Sequence, residues 1–116
     1  LVAGDIEATS EVDLVVERHE RLPAEVLVVP HHGSRTSSTR SFVDAVAPRH
    51  AVFTVGYRNR FGHPRADVVA RYERVGATLH RTDRTGALTF TVAPGAIDEP
   101  EAARASRRRY WHDPPD

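Results

Sequence analysis

The stretch EVLVVPHHGSRTSS, residues 25–38, decides the fold. After Glu25 come Val26, Leu27, Val28 and Val29, apolar without alternation. That is the pattern of a short strand buried on both faces. Pro30 ends the run, and His31, His32 and Gly33 follow at once. A polar segment, SRTSSTRS (34–41), leads into a helical pattern with Phe42, Val43 and Val46. Ser37 or Ser38 is suited to cap this helix, and Pro48 ends it. The same order of parts recurs downstream: HAVFTV (50–55) is a second central strand and GYRNRFG (56–62) a loop. His63-Pro64 then opens a third helix, with Pro64 suited to the first turn. Val68, Val69, Tyr72 and Val75 form its apolar face, and Gly76 its C-terminal cap.

Upstream, residues 1–4 read as the tail of a buried strand whose beginning lies before Leu1. Val12, Val15, Val16 and His19 follow helical spacing, with Leu22 closing the stripe and Pro23 stopping it. Downstream, residues 77–82 and 87–92 read as two strands joined by Asp83-Arg84-Thr85-Gly86, a hairpin by composition. From residue 93 to 116 the pattern dissolves into prolines and mixed charge, expected as a disordered tail. The order β-α-β-α-β-α-β-β implies an α/β layer with helices packed on a sheet. One sheet face would be thinly covered, as in half of a larger layered domain.

Composition narrows the function classes. The chain has 116 residues, with sixteen basic side chains, all arginine, balanced by sixteen acidic ones. Zero cysteine excludes a disulfide framework, a cysteine-based zinc finger and a cysteine nucleophile. Net charge near zero argues against a chain-wide electrostatic grip on nucleic acid. No apolar run approaches the ~18 residues needed to cross a bilayer. The surplus is histidine: seven, two of them adjacent.

Three polar clusters fall at strand ends: Gly4-Asp5, Pro30-His31-His32-Gly33-Ser34 and Gly62-His63-Pro64. If the strands run parallel, all three open on the edge where α/β folds bind ligands. Carboxylate and neutral imidazole together suit a divalent transition metal. Each cluster also has a plainer reading. Asp5 and His63 can cap helices, and His31-His32 can be a hydrogen-bonded turn. His19, His50, His80 and His112 read as structural or surface groups. No G-x-S-x-G elbow surrounds Ser34, Ser37 or Ser38, so a serine nucleophile is not indicated. Backbone groups of HHGSRTSS can hold a phosphate near the next helix start. Arg35, Arg58 and Arg60 can touch phosphate or stand as solvated charges. The run Arg107 to Trp111 (RRRYW) can stack on nucleic acid or belong to the tail.

LVAGDIE (1–7), VLVVPHHGSRTSS (26–38) and VGYRNRFGHP (55–64), in this order, resemble the C-terminal part of the ComEC family, and RTDRTGALT (81–89) continues the likeness. These are competence proteins that internalise DNA during natural transformation. The resemblance covers residues 1 to about 92. It implies the C-terminal half of a metallo-β-lactamase-like αββα sandwich. It further implies a hydrolytic centre of two divalent metal ions, zinc or manganese, in the complete domain. Asp5 resembles the aspartate that bridges the metals, and the motif at 30–33 the late histidine ligand. By this pattern His32 is the ligand and His31 a substrate-facing or acid–base group, with His63 a competing candidate for the late ligand. The upstream half would supply an H-x-D-x-D-H or H-x-H-x-D-H signature, which is absent here, so the segment alone should not hold a stable two-metal site.

Two readings follow. In the first, the segment is half of a metal-dependent phosphodiesterase acting on DNA, single-stranded or duplex. Catalysis would rest on His31 and His32, and metal binding on Asp5, His32 and His63. No small organic cofactor is expected. The resemblance places such a domain on a multi-pass membrane protein, beside its channel and on the extracytoplasmic side. In the second, a degenerate copy binds or guides DNA, or serves as a scaffold packed against a membrane channel, without catalysis. A related hydrolase of small esters, lactams or phosphocholine shares the fold, which does not fix substrate.

Overall fold

A computed structural model describes residues 1–107. Its centre is a parallel sheet in the order β1-β2-β3, with β1 at Val26–Val28, β2 at His50–Phe53 and β3 at Thr78–Arg81. Leu27, Ala51 and Leu79 stand in register across it, as do Val28, Val52 and His80. Val2 adds a parallel bridge to Val28, and the Val28 amide donates to the Leu1 carbonyl at 2.9 Å. The opening segment is thus a fourth parallel neighbour, as its apolar pattern implied. All these chains point the same way, so Asp5, the turn after β1 and the loop after β2 share one edge.

Helices α1 (Ala8–Arg18), α2 (Arg40–Val46) and α3 (Ala66–Arg74) connect the strands. Successive strand side chains face opposite ways, so Leu27, Val29, Ala51 and Phe53 lie on one face. They meet Phe42, Val43 and Val46 of α2 and Val68 and Tyr72 of α3 in a continuous buried core. The Phe53 and Tyr72 rings meet edge to face at 5.6 Å, a favoured aromatic geometry. The opposite face carries His50, Val52 and His80, and Phe90 lies edge-on to both imidazoles. Val26 and Val28 on this face are only half-buried, so β1 is less enclosed than its apolar run implied.

Several local expectations differ from the structure. The stripe of α1 is turned: Val16 is 78% exposed and Val12 half-exposed, while Glu11 is fully buried. Leu14 and Val15 do pack on the core. The helix is rotated because the Glu11 carboxylate accepts the backbone amides of Ser38 and Thr39, both at 2.6 Å. The helix also ends at Arg18, and His19–Arg21 form a separate tight turn that brings Leu22 into the core out of phase with the stripe.

The cap of α2 is Thr39, not Ser37 or Ser38, and accepts from the Phe42 amide. Both serines are spent elsewhere: Ser37 donates to the carbonyls of Pro30 and Ser34, and Ser38 bonds the Tyr72 hydroxyl. Helix α3 begins at Ala66, beyond Pro64, whose peptide bond with His63 is cis.

Residues 83–86 are not a hairpin between adjacent strands. They lie in α4 (Thr82–Thr85), one helical turn ended by Gly86. The Thr82 hydroxyl donates to the Val55 carbonyl and that of Thr85 to the Arg81 carbonyl, which winds the segment up. β4 (Leu88–Thr89) does not join the edge strand β3 but pairs with β7 (Glu101–Ala102), antiparallel. Between them β5 (Val92–Ala93) and β6 (Ala96–Ile97) form a hairpin, with Pro94-Gly95 at its turn. Gly95 has φ +76°, the position a type II turn reserves for glycine after proline. α5 (Ala103–Ser106) follows. The expected tail is therefore built from residue 93 through α5. Arg108, Arg109, Tyr110, Trp111 and His112 lie outside the described residues. Among the described residues no helix is long and apolar enough to cross a membrane.

His50 and His80 are structural, as their strand positions suggested. His50 Nδ1 lies 3.1 Å from His80 Nε2. Burial, then the neighbouring His50, pull the His80 pKa below its ordinary 6.5, against a smaller upward pull from Glu99. The unfolded chain thus protonates this group first as pH falls. Stability should be full above 6.5 and decline as pH drops below it, levelling once the folded form protonates. Urea midpoints across that range should show this slope, and His80→Leu should flatten it.

Candidate functional site

The site is assembled from three connections at the carboxyl edge of the sheet. The His31 amide donates to the Gly4 carbonyl at 2.9 Å, locking the Gly4-Asp5 turn against the turn Pro30–Gly33. His31, His32 and Gly33 have φ of +49°, +57° and +81°. Two consecutive non-glycine residues in the left-handed region are unfavourable, of order 1–2 kcal/mol each, and such outliers concentrate at working sites. Here they aim both imidazoles out of the edge. The third connection is tied in where the Arg65 amide donates to the Gly33 carbonyl at 3.0 Å.

His32 shows the clearest chemistry. Its Nδ1 lies 2.7 Å from the Thr54 carbonyl and 3.1 Å from the Thr54 hydroxyl. A carbonyl only accepts, so Nδ1 carries a proton and Nε2 is left for a second partner. That Nε2 lies 3.5 Å from Asp5 Oδ1. Metal-ligating histidines are commonly held in this way, the other ring N–H donating to a backbone carbonyl.

His31 faces a different set of partners. Its Nδ1 lies 3.4 Å from Glu7 Oε1 and 3.2 Å from Ser34 Oγ. The Thr36 hydroxyl donates to the same Glu7 oxygen at 2.9 Å and contacts Ser34. His63 completes the group, its ring 6.3 Å from that of His31. Asn59 clamps it, accepting from the His63 amide and donating to the His63 carbonyl. Burial, then His31, His32 and Arg65, hold the His63 pKa below its ordinary value. The neutral ring is the form able to bind a metal.

A largely apolar cavity of about 340 Å³ opens beside these rings, lined by His32, Thr54, Val55, Gly56, Asn59, Phe61 and His63. The structure thus brings Asp5 and His32 together and sets His31 and His63 beside them. Among the described residues no group of three or more His, Asp or Glu side chains converges to hold a metal ion. Sequence reasoning passed over Glu7, Thr54 and Asn59. Their one available signal was position, each lying in or next to a motif at a strand end. Arg58 stacks over the Tyr57 ring at 5.0 Å and Arg104 at 5.1 Å. Arg35 and Arg60 are exposed.

The molecule is thus a mixed α/β protein with a histidine- and carboxylate-lined edge to its parallel sheet. It is similar to competence protein ComA of Neisseria gonorrhoeae, 40% identical over 119 residues, 99% of this chain and 16% of that protein. It is also similar to ComE operon protein 3 of Bacillus subtilis, 31% identical over 90 residues, 78% of this chain and 12% of that protein. A protein of Escherichia coli, YcaI, is 33% identical over 93 residues, 80% of this chain and 12% of that protein. The two named competence proteins support the ComEC competence family that the motifs resemble. The chain spans about a sixth or less of the length of these relatives. No family model and no solved structure matches it.

Proposed function

We propose that this chain is part of a metal-dependent phosphodiesterase domain of a DNA-uptake protein, the C-terminal half of a metallo-β-lactamase-like αββα sandwich. The observation that carries the reading is His32, pinned through Nδ1 to Thr54 with Nε2 facing Asp5 at 3.5 Å. Asp5 and His32 fit a divalent ion, and His63 stands close by in its neutral form. The remaining ligands come from an upstream half of the domain. Two such ions, zinc or manganese, would offset charge on the phosphate and provide a nucleophilic water near neutral pH. His31, held by Glu7 and Ser34, faces the substrate phosphate and handles the proton of the leaving oxygen. DNA is the substrate, and the parent is a membrane protein whose channel adjoins the domain on the extracytoplasmic side. The two competence relatives support a role in DNA uptake.

The test is a nuclease assay of the complete domain with Mn²⁺ or Zn²⁺, wild type against Asp5→Ala. Wild type should cleave and the variant fall to background. Equal rates in both would sink the assignment. A second reading, a non-catalytic DNA-binding segment, draws on the exposed Arg35 and Arg60. It predicts salt-dependent DNA binding that persists in Asp5→Ala without metal uptake.

A further inference from the structure

Phe61 is 78% exposed and yet lines the cavity next to His32 and His63. Its position is held by the loop. The Asn59 amide donates to the Gly56 carbonyl at 3.1 Å, and the Asn59 side chain brackets His63. Gly62 turns the chain at φ +67°. The Phe61 ring stands 6.0 Å from the His63 ring, inclined by 31°. An aromatic face is thereby displayed on a braced turn rather than buried. The loop itself carries one sign of charge: residues 54–66 include Arg58, Arg60 and Arg65 and no acidic residue, while Asp5 faces His32 on the cavity wall. In a chain of zero net charge, the loop that lines much of this apolar cavity is locally cationic. An apolar slot with an exposed ring, on a loop that bears arginines, matches a nucleobase flanked by phosphates.

We propose that Phe61 stacks on an unpaired base entering this cavity, with Arg60 beside it at the phosphate backbone, so that the edge selects single-stranded DNA. In a duplex both faces of each base are already stacked, and only an unpaired base offers a free face. The inference rests on the phosphodiesterase reading for its scissile phosphate, but binding can be measured separately.

The full chain, with metal chelated, is titrated with a fluorescein-labelled oligothymidylate and with a duplex of equal length. Phe61→Ala and Phe61→Leu should weaken single-strand binding roughly ten- to hundredfold, the usual cost of losing one stacked base. Phe61→Trp should retain binding, and duplex binding should be the same in all four proteins. A 2-aminopurine in the strand should be quenched by wild type and Phe61→Trp and not by Phe61→Ala. Unchanged single-strand affinity in Phe61→Ala, as when the ring instead packs against an upstream half, overturns the proposal. An equal loss on duplex overturns it as well. Because no metal is present, failure of the nuclease assay leaves this result standing, and the reverse also holds.

Discussion

Gly33→Ala should lower the unfolding free energy by about 2–5 kcal/mol, the sum of left-handed strain and overpacking. Gly33 sits at φ +81° between the two histidine-bearing loops. A Cβ there would meet Pro64 Cβ at 2.8 Å and Phe53 Cδ1 and Cε1 at 2.9 and 3.0 Å. Neither neighbour can yield. Pro64 is a closed ring, and Phe53 is fully buried against Tyr72. Gly4→Ala is the control: its φ is +65°, but a Cβ there would meet nothing within 4 Å. It should lose only the conformational part, about 1–2 kcal/mol. Urea denaturation followed by circular dichroism separates the two, and equal losses would show that the contact with Pro64 and Phe53 carries no weight. The contact also sets the site. Only a residue without a side chain lets the loop carrying His63 close against the turn carrying His31 and His32.

Glu11→Ala should cost about 3–5 kcal/mol, since two hydrogen bonds to a charged group are lost and their buried donors stranded. The carboxylate takes the Ser38 and Thr39 amides at the point where the PHHGS segment passes into α2. From the other side Arg71 donates to the Ser38 carbonyl at 2.9 Å. Glu11→Gln keeps one acceptor and should lose about half as much. Hydrogen exchange at Ser38 and Thr39 should quicken in both variants. Unchanged protection would mean that the loop is held without Glu11.

Much of the fold was legible because it is local. Largely apolar runs at 26–29 and 50–55, punctuated by Pro30, Pro48 and Gly76, mark short strands joined by helices. From the parallel order it follows that Asp5, the histidine pair and His63 share an edge. Counting apolar residues misplaced the buried face of α1, because the buried group there is a carboxylate. Its burial depends on two amides contributed by a loop 27 and 28 positions away. The hairpin expected at 83–86 failed for a related reason. Composition marks a turn, but the Thr82 and Thr85 hydroxyls wind it into a helical turn, and β4 finds its partner in β7, remote in sequence. The tail reading from residue 93 gave too little weight to Pro94-Gly95, which closes a hairpin in the structure.

The sequence by itself determined the alternation of strand and helix and the residue types presented at the strand ends, since both follow from periodicity and from proline and glycine stereochemistry. Tertiary structure alone decided which nitrogen of His32 faces Asp5, because that depends on the Thr54 carbonyl 22 residues along the chain. It also decided that Glu11 is a buried clamp and that Phe61 stands exposed beside the imidazoles. Each of these is set by the distance between atoms remote in sequence, which no local pattern encodes.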